Sequence, residues 1–159
     1  MPAYLRCVRG SATIYDRAIA WYSRSPYVHT EFAWPLDDAD PQQWLGAQPS
    51  GGVAIRPRDY LGAARPFDMF EADLSDAQLR VLRTFLARQI GKPYDWRAIA
   101  GMAIPALDRG HTQAAWFCSE LVYYALASAG HALLRVPLKA SDRITPRDVA
   151  VSLRLTQLA

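Results

Sequence analysis

The sequence predicts an α+β domain in which a small antiparallel sheet packs on helices. Strand-like alternation and turn residues dominate the first half of the chain, and helical periodicity dominates the second. Strands and helices do not alternate as βαβ units, which argues against a parallel sheet. The 159 residues are 51% hydrophobic and 11% aromatic with a net charge of +3. This balance excludes a disordered chain and predicts one domain over residues 1–159.

The first half of the chain contains five predicted strands and one helix. The strands cover residues 4–8, 27–34, 43–48, 52–56 and 67–72, with Asp-, Pro- and Gly-containing turns between several of them. The helix covers residues 11–22, where Ile14, Ala18, Trp21 and Tyr22 recur at helical spacing. Proline at position 26 ends this helix.

The second half contains four predicted helices. The first follows an N-cap at Ser75 and ends at Gly91. Its predicted apolar side consists of Leu79, Val81, Leu82, Phe85, Leu86 and Ile90. Further helices are expected over residues 96–102 and 117–129, the second ended by Gly130. A short last helix begins after Thr145, because Pro146 occupies its first helical position.

Composition and spacing exclude several kinds of partner and cofactor. The 18 basic residues are scattered among acids, so we expect no nucleic-acid partner. The apolar stretch 121–134 has 14 residues, whereas a membrane span needs about 20, so we expect no integral membrane association. The first 25 residues show no signal peptide, which predicts a cytoplasmic protein as synthesised; non-classical export, injection or phage-associated release stays open. No metal spacing or phosphate loop occurs, so no metal or cofactor is expected.

Cys118 is the candidate nucleophile because it lies at the start of a predicted helix. Unpaired backbone N–H groups and the helix dipole favour a thiolate there. The same N–H groups can stabilise the oxyanion formed when a thiolate attacks a carbonyl group. The alternative interpretation is a small buried hydrophobic side chain, which is the usual role of a free cysteine.

Three histidines are candidate bases for this cysteine. His131 follows the far end of the helix, roughly 20 Å along from Cys118, and cannot reach it. His111 lies in the preceding loop, and its spacing indicates nothing more. His29 shares one face of a predicted strand with Glu31, which gives a base with a possible orienting carboxylate. A surface pair on a solvated sheet face is the alternative.

Three segments in this order resemble the circularly permuted NlpC-type papain-fold hydrolases of the YiiX/YebB-like group. They are Ser-Pro-Tyr-Val-His-Thr at 25–30, Gly-Lys-Pro-Tyr-Asp at 91–95 and Trp-Phe-Cys-Ser-Glu-Leu-Val at 116–122. The resemblance covers about residues 10–130 and implies a permuted papain-like fold. It implies Cys118 as nucleophile and His29 as base. It also implies that Tyr94 lies near the oxyanion, where the Ser119 backbone can donate.

The chain departs from this family at the carboxylate that orients the histidine. The family carries a Glu where this chain has Gly46, and a Gly where this chain has Glu31. We therefore hypothesise that the carboxylate has exchanged places between neighbouring strands. Gln48 is the alternative orienting residue, because its amide oxygen could accept the ring N–H. Glu120 is interpreted as an acid that suits the helix dipole and Ser119 as a helix cap, neither as a catalytic side chain.

The resemblance implies a cysteine peptidase or amidase that works through a thioester and needs no cofactor. Bacterial cell-wall peptide is the first substrate expectation, because it is the commonest role of the NlpC-type superfamily. A lipid acyl hydrolase or acyltransferase is the alternative, with residues 98–107 as an apolar wall. A non-catalytic binding module is the third possibility, and Gly46 is the one feature that favours it.

Overall fold

The computed structural model describes residues 1–10, 12–62, 64–103, 113–134 and 143–158. Its strands form one six-stranded antiparallel sheet, and its helices pack around that sheet, so the predicted α+β class is confirmed. The strands are β1 (Pro2–Arg9), β2 (Tyr27–Trp34), β3 (Gln43–Gln48), β4 (Gly52–Pro57), β5 (Phe67–Asp73) and β6 (Thr156–Gln157). The helices are α1 (Ile14–Ser23), α2 (Asp76–Gln89), α3 (Trp96–Ala103), α4 (Cys118–Ser128) and α5 (Pro146–Ala150).

The sheet has the strand order β4-β3-β2-β1-β5-β6, which places β2 between β1 and β3. Arg6 of β1 lies opposite Glu31, and Leu45 of β3 lies opposite Phe32. Residues 28–33 of β2 are all buried, so both faces of this strand are covered. Helices α4 and α5 both contact β2. A polar side chain on β2 therefore points into protein rather than into water.

Helix α4 lies in the core, because most of its circumference is apolar and buried. It contacts β2, β3, α2 and α5. The indole of Trp116, just before the helix, donates to Gln89 Oε1 of α2 at 3.1 Å. This packing fixes the chain entering α4, and thus the position of its first residue, Cys118.

The predicted bounds of β2 and β3 agree with the structure, whereas other elements differ at their ends. β1 runs from residue 2 to 9 rather than 4 to 8, and α1 begins at residue 14 rather than 11. β6 was not predicted, because two residues carry no periodicity. No helix in the described part of the chain has the length and apolarity to cross a membrane.

The predicted apolar stripe of α1 does not face the core. Ile14 and Trp21 are 71% and 73% exposed, and Asp16, Ile19 and Ser23 are buried instead. Asp16 faces inwards because its carboxylate caps the start of α1 and accepts from Arg65 at 2.7 Å. Helical spacing identifies a stripe but does not say which side of the helix is covered.

The apolar side of α2 is narrower than predicted. Leu79, Leu82 and Leu86 are buried, as expected of a core-facing stripe. Val81 is exposed because it lies outside that stripe, and Ile90 is exposed because α2 ends at Gln89, so that Ile90 is the non-helical C-cap.

Candidate active site

Cys118 is the first residue of α4 and is only 1% exposed. Helices α1, α2 and α5 each begin with a full capping box, in which an N-cap side chain binds a first-turn N–H. The N-cap of α4 is Phe117, whose side chain makes no capping hydrogen bond. Because a phenyl group cannot accept a hydrogen bond as a capping side chain does, no N-cap side chain occupies the first-turn N–H groups beside the thiol. An oxyanion site requires this.

His29 is buried, and its neighbours include Glu31 and Cys118. Its Nε2 is 3.1 Å from Glu31 Oε2. Burial alone would lower the pKa of His29, but the Glu31 charge, hydrogen bonds with Cys118 and Glu31, and the Cys118 charge raise it to about 9. The ring is therefore an imidazolium at neutral pH. The interpretation of His29 and Glu31 as a solvated surface pair is wrong, because both side chains are buried.

Glu31 is fully buried, and both of its carboxylate oxygens are engaged. Arg6 donates to Oε1 through Nε at 2.8 Å and also through Nη2. Tyr60 donates its hydroxyl hydrogen to Oε2 at 2.6 Å. Burial would raise the pKa of Glu31, but the charges and hydrogen bonds of His29, Arg6 and Tyr60 hold it below its usual value. Glu31 is therefore an anion between two cations.

Gly46 faces the volume that the Glu31 side chain occupies. Continuing the β2–β3 register of Phe32 with Leu45 places Gly46 opposite Glu31. A Cβ at position 46 would lie 2.6 Å from Glu31 Cβ and 3.0 Å from Oε2, which is too close for any side chain. A carboxylate can thus occupy this volume from position 31 or from position 46, but not from both. This geometry supports the exchange hypothesis.

Gln48 and Tyr60 complete a hydrogen-bonded cluster around Nε2 of His29. Gln48 Nε2 lies 2.9 Å from that nitrogen and donates to the Tyr60 hydroxyl at 2.7 Å. The expected hydrogen bond is not formed, because the amide nitrogen rather than the amide oxygen faces the ring, and an amide N–H cannot donate to the N–H of an imidazolium. Burial, together with the neighbouring Glu31 charge, raises the pKa of Tyr60, so its hydroxyl stays protonated.

Sequence reasoning missed Arg6 and Tyr60, which bind Glu31 together with His29. Arg6 had one signal, since it is a charged residue inside the otherwise apolar run of β1. Its partner is 25 positions away, however, and only the β1–β2 register brings them together. Tyr60 lies in the turn after β4, where no periodicity indicates which way a side chain faces.

Tyr94, which the resemblance places near the oxyanion, is buried. Burial, and after it the charge of Cys118, raises the pKa of Tyr94 well above its usual value. The chain around Tyr94 is held on two sides. Val53 N–H donates to the Lys92 carbonyl at 2.9 Å, and Asp95 N–H donates to the Trp116 carbonyl at 3.0 Å.

A cavity of about 230 Å³ opens beside the imidazole. Its lining includes His29, Gln48 and Tyr94, together with Tyr15, Asp16 and Ile19 of α1. A larger open groove of about 770 Å³ runs along α2 and includes none of the candidate site residues. The smaller cavity is the relevant one, because His29, Gln48 and Tyr94 line it, whereas Cys118 is not among its lining residues.

Ser119 and Glu120 have partners away from the reacting groups. The Ser119 hydroxyl donates to the Ile144 carbonyl at 2.7 Å, so it does not cap α4 as expected. Arg143 donates to Glu120 Oε1 at 2.8 Å and lies 3.4 Å from Asp95 Oδ2. The backbone of Ser119 remains in the first turn of α4, where the oxyanion role was expected.

His131 does not join the described cluster. His131 Nε2 contacts the Arg154 carbonyl at 2.9 Å, beyond the C-terminal end of α4. His111 lies outside the described residues. Of the expected apolar wall, Ala98 and Met102 of α3 are buried, and residues 104–107 lie outside the described part of the chain.

Comparison with known proteins identifies the fold. No family model and no curated protein matches the sequence. Among solved structures, metalloprotein yiiX from Escherichia coli O157:H7, DUF1105, is similar with a TM-score of 0.75. The alignment covers 100% of this chain and 96% of that one, at 18% identity. The chain has the yiiX fold.

The description of yiiX as a metalloprotein raises the question of a metal site in this chain. In the part of the chain that the structure describes, no three His, Cys, Asp or Glu side chains group as metal ligands. The carboxylate oxygens of Glu31 already bind Arg6 and Tyr60, and Nε2 of His29 faces Glu31. The described residues around Cys118 do not fit a metal ion.

Proposed function

We propose that this chain is a cysteine hydrolase with a permuted papain-like, NlpC-type site. Cys118 is the nucleophile, His29 the acid–base group and Glu31 the orienting residue in this proposal. The observation that carries it is the buried His29 ring, which lies 3.1 Å from Glu31 and whose pKa is raised by both Glu31 and Cys118. A nucleophile, a base and a group that orients the base are what acyl transfer through a thioester requires.

The reaction begins from a thiolate at Cys118 and an imidazolium at His29. The sulfur attacks the carbonyl carbon of an amide, and first-turn N–H groups of α4 donate to the oxyanion beside Tyr94. The C–N bond then breaks, and His29 gives its proton to the leaving amine. A water molecule next loses a proton to His29 and attacks the thioester. Cleavage of the C–S bond releases the carboxylic acid and restores the thiolate.

Arg6 and Tyr60 are positioning residues in this proposal, because they act through Glu31. Their donors occupy the carboxylate oxygens and keep Glu31 ionised. The ionised carboxylate in turn holds the His29 proton and fixes the ring plane. Arg6 also stacks over Trp44, with its guanidinium carbon 4.0 Å from the ring centroid.

Bacterial cell-wall peptide is the substrate class that we propose first. The cavity walls carry the Asp16–Arg65 pair and Gln48, which can hydrogen bond to a peptide. A lipid acyl group is the second candidate. It is favoured by large apolar side chains on α1, the helix that also lines the cavity, which lie exposed to solvent.

The first experiment is the pH dependence of alkylation at each cysteine. We expect iodoacetamide to modify Cys118 near pH 7 far faster than Cys7, because burial raises the pKa of Cys7 to about 12. His29→Ala should slow the Cys118 reaction at pH 7 at least tenfold. His131→Ala is the matched control, since His131 contacts the Arg154 carbonyl and should leave the rate unchanged.

Two outcomes would contradict the proposal. One is a Cys118 thiol that does not react with iodoacetamide at neutral pH. The other is a Cys118 alkylation rate that is the same in wild type and in His29→Ala. Either result would favour a non-catalytic binding module on the same fold. If the thiol reacts as expected, hydrolysis of wall peptides and of phospholipids by wild type and by Cys118→Ala distinguishes the two substrate classes.

A further inference from the structure

Helices α1 and α3 present large apolar side chains to solvent beside the cavity. Ile14, Trp21 and Tyr22 of α1 are 71%, 73% and 41% exposed, and Trp96 of α3 is 46% exposed. We refer to these four residues as the aromatic surface. Ile14 and Trp21 are seven positions apart, so they lie on one line along α1. Such a stripe on a helix normally faces a core, and here no described residue covers it.

The exposed charges on α1, at its C-terminal end and on α3 have one sign in the described residues. Arg17 in α1, Arg24 just after it and Arg97 in α3 are exposed. The only acid in α1 is Asp16, which is buried and paired with Arg65, and α3 contains no acid. Exposed arginines therefore alternate with exposed aromatic residues, and no exposed carboxylate lies on either helix.

We propose that the aromatic surface binds the headgroup region of an anionic lipid bilayer. Tryptophan and tyrosine prefer the interface between hydrocarbon and water, and arginine is attracted to anionic headgroups. A helix with an apolar stripe and basic flanks lies in the plane of such a surface. The positive charge selects this occupant over an uncharged apolar partner. This binding goes beyond the proposed hydrolase chemistry and does not depend on it.

The aromatic surface is joined to the cavity through two ring contacts. The Trp96 ring lies 5.1 Å from that of Tyr15 and 5.5 Å from that of Tyr94, measured between centroids. Tyr15 and Tyr94 both line the cavity that contains His29. A bilayer bound to the aromatic surface would therefore lie beside the cavity.

The test is flotation of the full chain with extruded vesicles at low ionic strength. Vesicles of phosphatidylcholine alone are compared with vesicles containing about 30% phosphatidylglycerol. We expect binding to the anionic vesicles and a blue shift of tryptophan emission, since Trp21 and Trp96 are exposed whereas Trp44 and Trp116 are buried. Trp21→Ser with Tyr22→Ser should weaken binding at least tenfold. Arg17→Gln with Arg97→Gln should weaken it roughly 25-fold, about fivefold for each arginine.

Two control variants test whether vesicle binding is specific to the aromatic surface and whether it is independent of Cys118. Val81→Ser with Leu153→Ser removes exposed apolar side chains elsewhere and should bind vesicles as wild type does. Cys118→Ala should also bind normally, so a failed hydrolase proposal leaves this result intact. Circular dichroism checks that each variant folds.

Three results would overturn the proposal. The first is no binding to anionic vesicles, and the second is equal binding by the Trp21→Ser, Tyr22→Ser variant. The third is concentration-dependent self-association that this variant abolishes, without vesicle binding. That third result would make the aromatic surface a contact between copies of the chain.

Discussion

The position of the orienting carboxylate can be tested by moving it back across the two strands. Glu31→Gly should destabilise the fold by about 3–5 kcal/mol, because it leaves the buried guanidinium of Arg6 without its anion. Gly46→Glu alone should cost at least about 2 kcal/mol, because its Cβ would lie 2.6 Å from that of Glu31. In the double variant the new carboxylate fills the vacated volume. We therefore expect a favourable coupling of at least about 2 kcal/mol.

The assay is urea unfolding of the wild type, both single variants and the double variant. The alkylation rate of Cys118 at pH 7 provides the second measurement, because it responds to the state of His29 rather than to stability alone. We expect the double variant to regain both a cooperative transition and part of the alkylation rate. Glu31→Ala with Gly46→Glu is the control, since alanine retains the Cβ that causes the overlap.

Additive effects would refute the exchange. If the double variant loses the sum of the two single losses, positions 31 and 46 do not share one volume in the folded protein. If stability recovers but the alkylation rate does not, the carboxylate holds Arg6 and does not orient His29.

Three further predictions concern residues of β2 and β4. The free energy of unfolding should fall by about 3 kcal/mol between pH 6.5 and 9. The raised pKa of His29 stabilises the fold fully below pH 6.5, and this stabilisation is lost as the pH rises through 9. Urea unfolding of wild type and of His29→Gln across this range checks the prediction, and a stability difference between the two that does not change with pH would contradict it. Gly52→Ala should cost about 3 kcal/mol, because φ is +62° and the new Cβ would lie 2.2 Å from the Lys92 carbonyl oxygen; thermal unfolding measures the loss. Glu31→Gln should slow Cys118 alkylation at neutral pH at least tenfold, and an unchanged rate would exclude Glu31 as the orienting residue.

Local sequence signals predicted most of the elements because they act over a few residues. Ser75 and Thr145 are capping residues whose partners lie three positions away, and both caps form as expected. The predicted buried face of α1 is wrong because it depends on a distant residue. Asp16 turns inwards because Arg65, 49 positions away, meets its carboxylate. No pattern within α1 contains that information.

In the candidate site, too, the local contacts could be predicted from the sequence and the nonlocal ones could not. The period of a strand places His29 and Glu31 on one face, and their contact follows at 3.1 Å. Burial of that face could not be predicted, because it depends on the elements that cover β2. Arg6 is brought to Glu31 by strand register, which a single sequence does not specify for a nonlocal pair.

A thiolate at Cys118, which the proposed chemistry needs, would complete the charge balance of the buried row. The buried row consists of the anion Glu31 in contact with two cations, Arg6 and His29, so together the three side chains carry one excess positive charge. An uncompensated charge in a buried site is costly. In the proposed mechanism Cys118, the buried first residue of α4, provides the compensating anion at the positive end of the helix. On this reasoning Arg6, although it does not contact the thiol, is a reason for Cys118 to be reactive, and Arg6→Met should lower its alkylation rate.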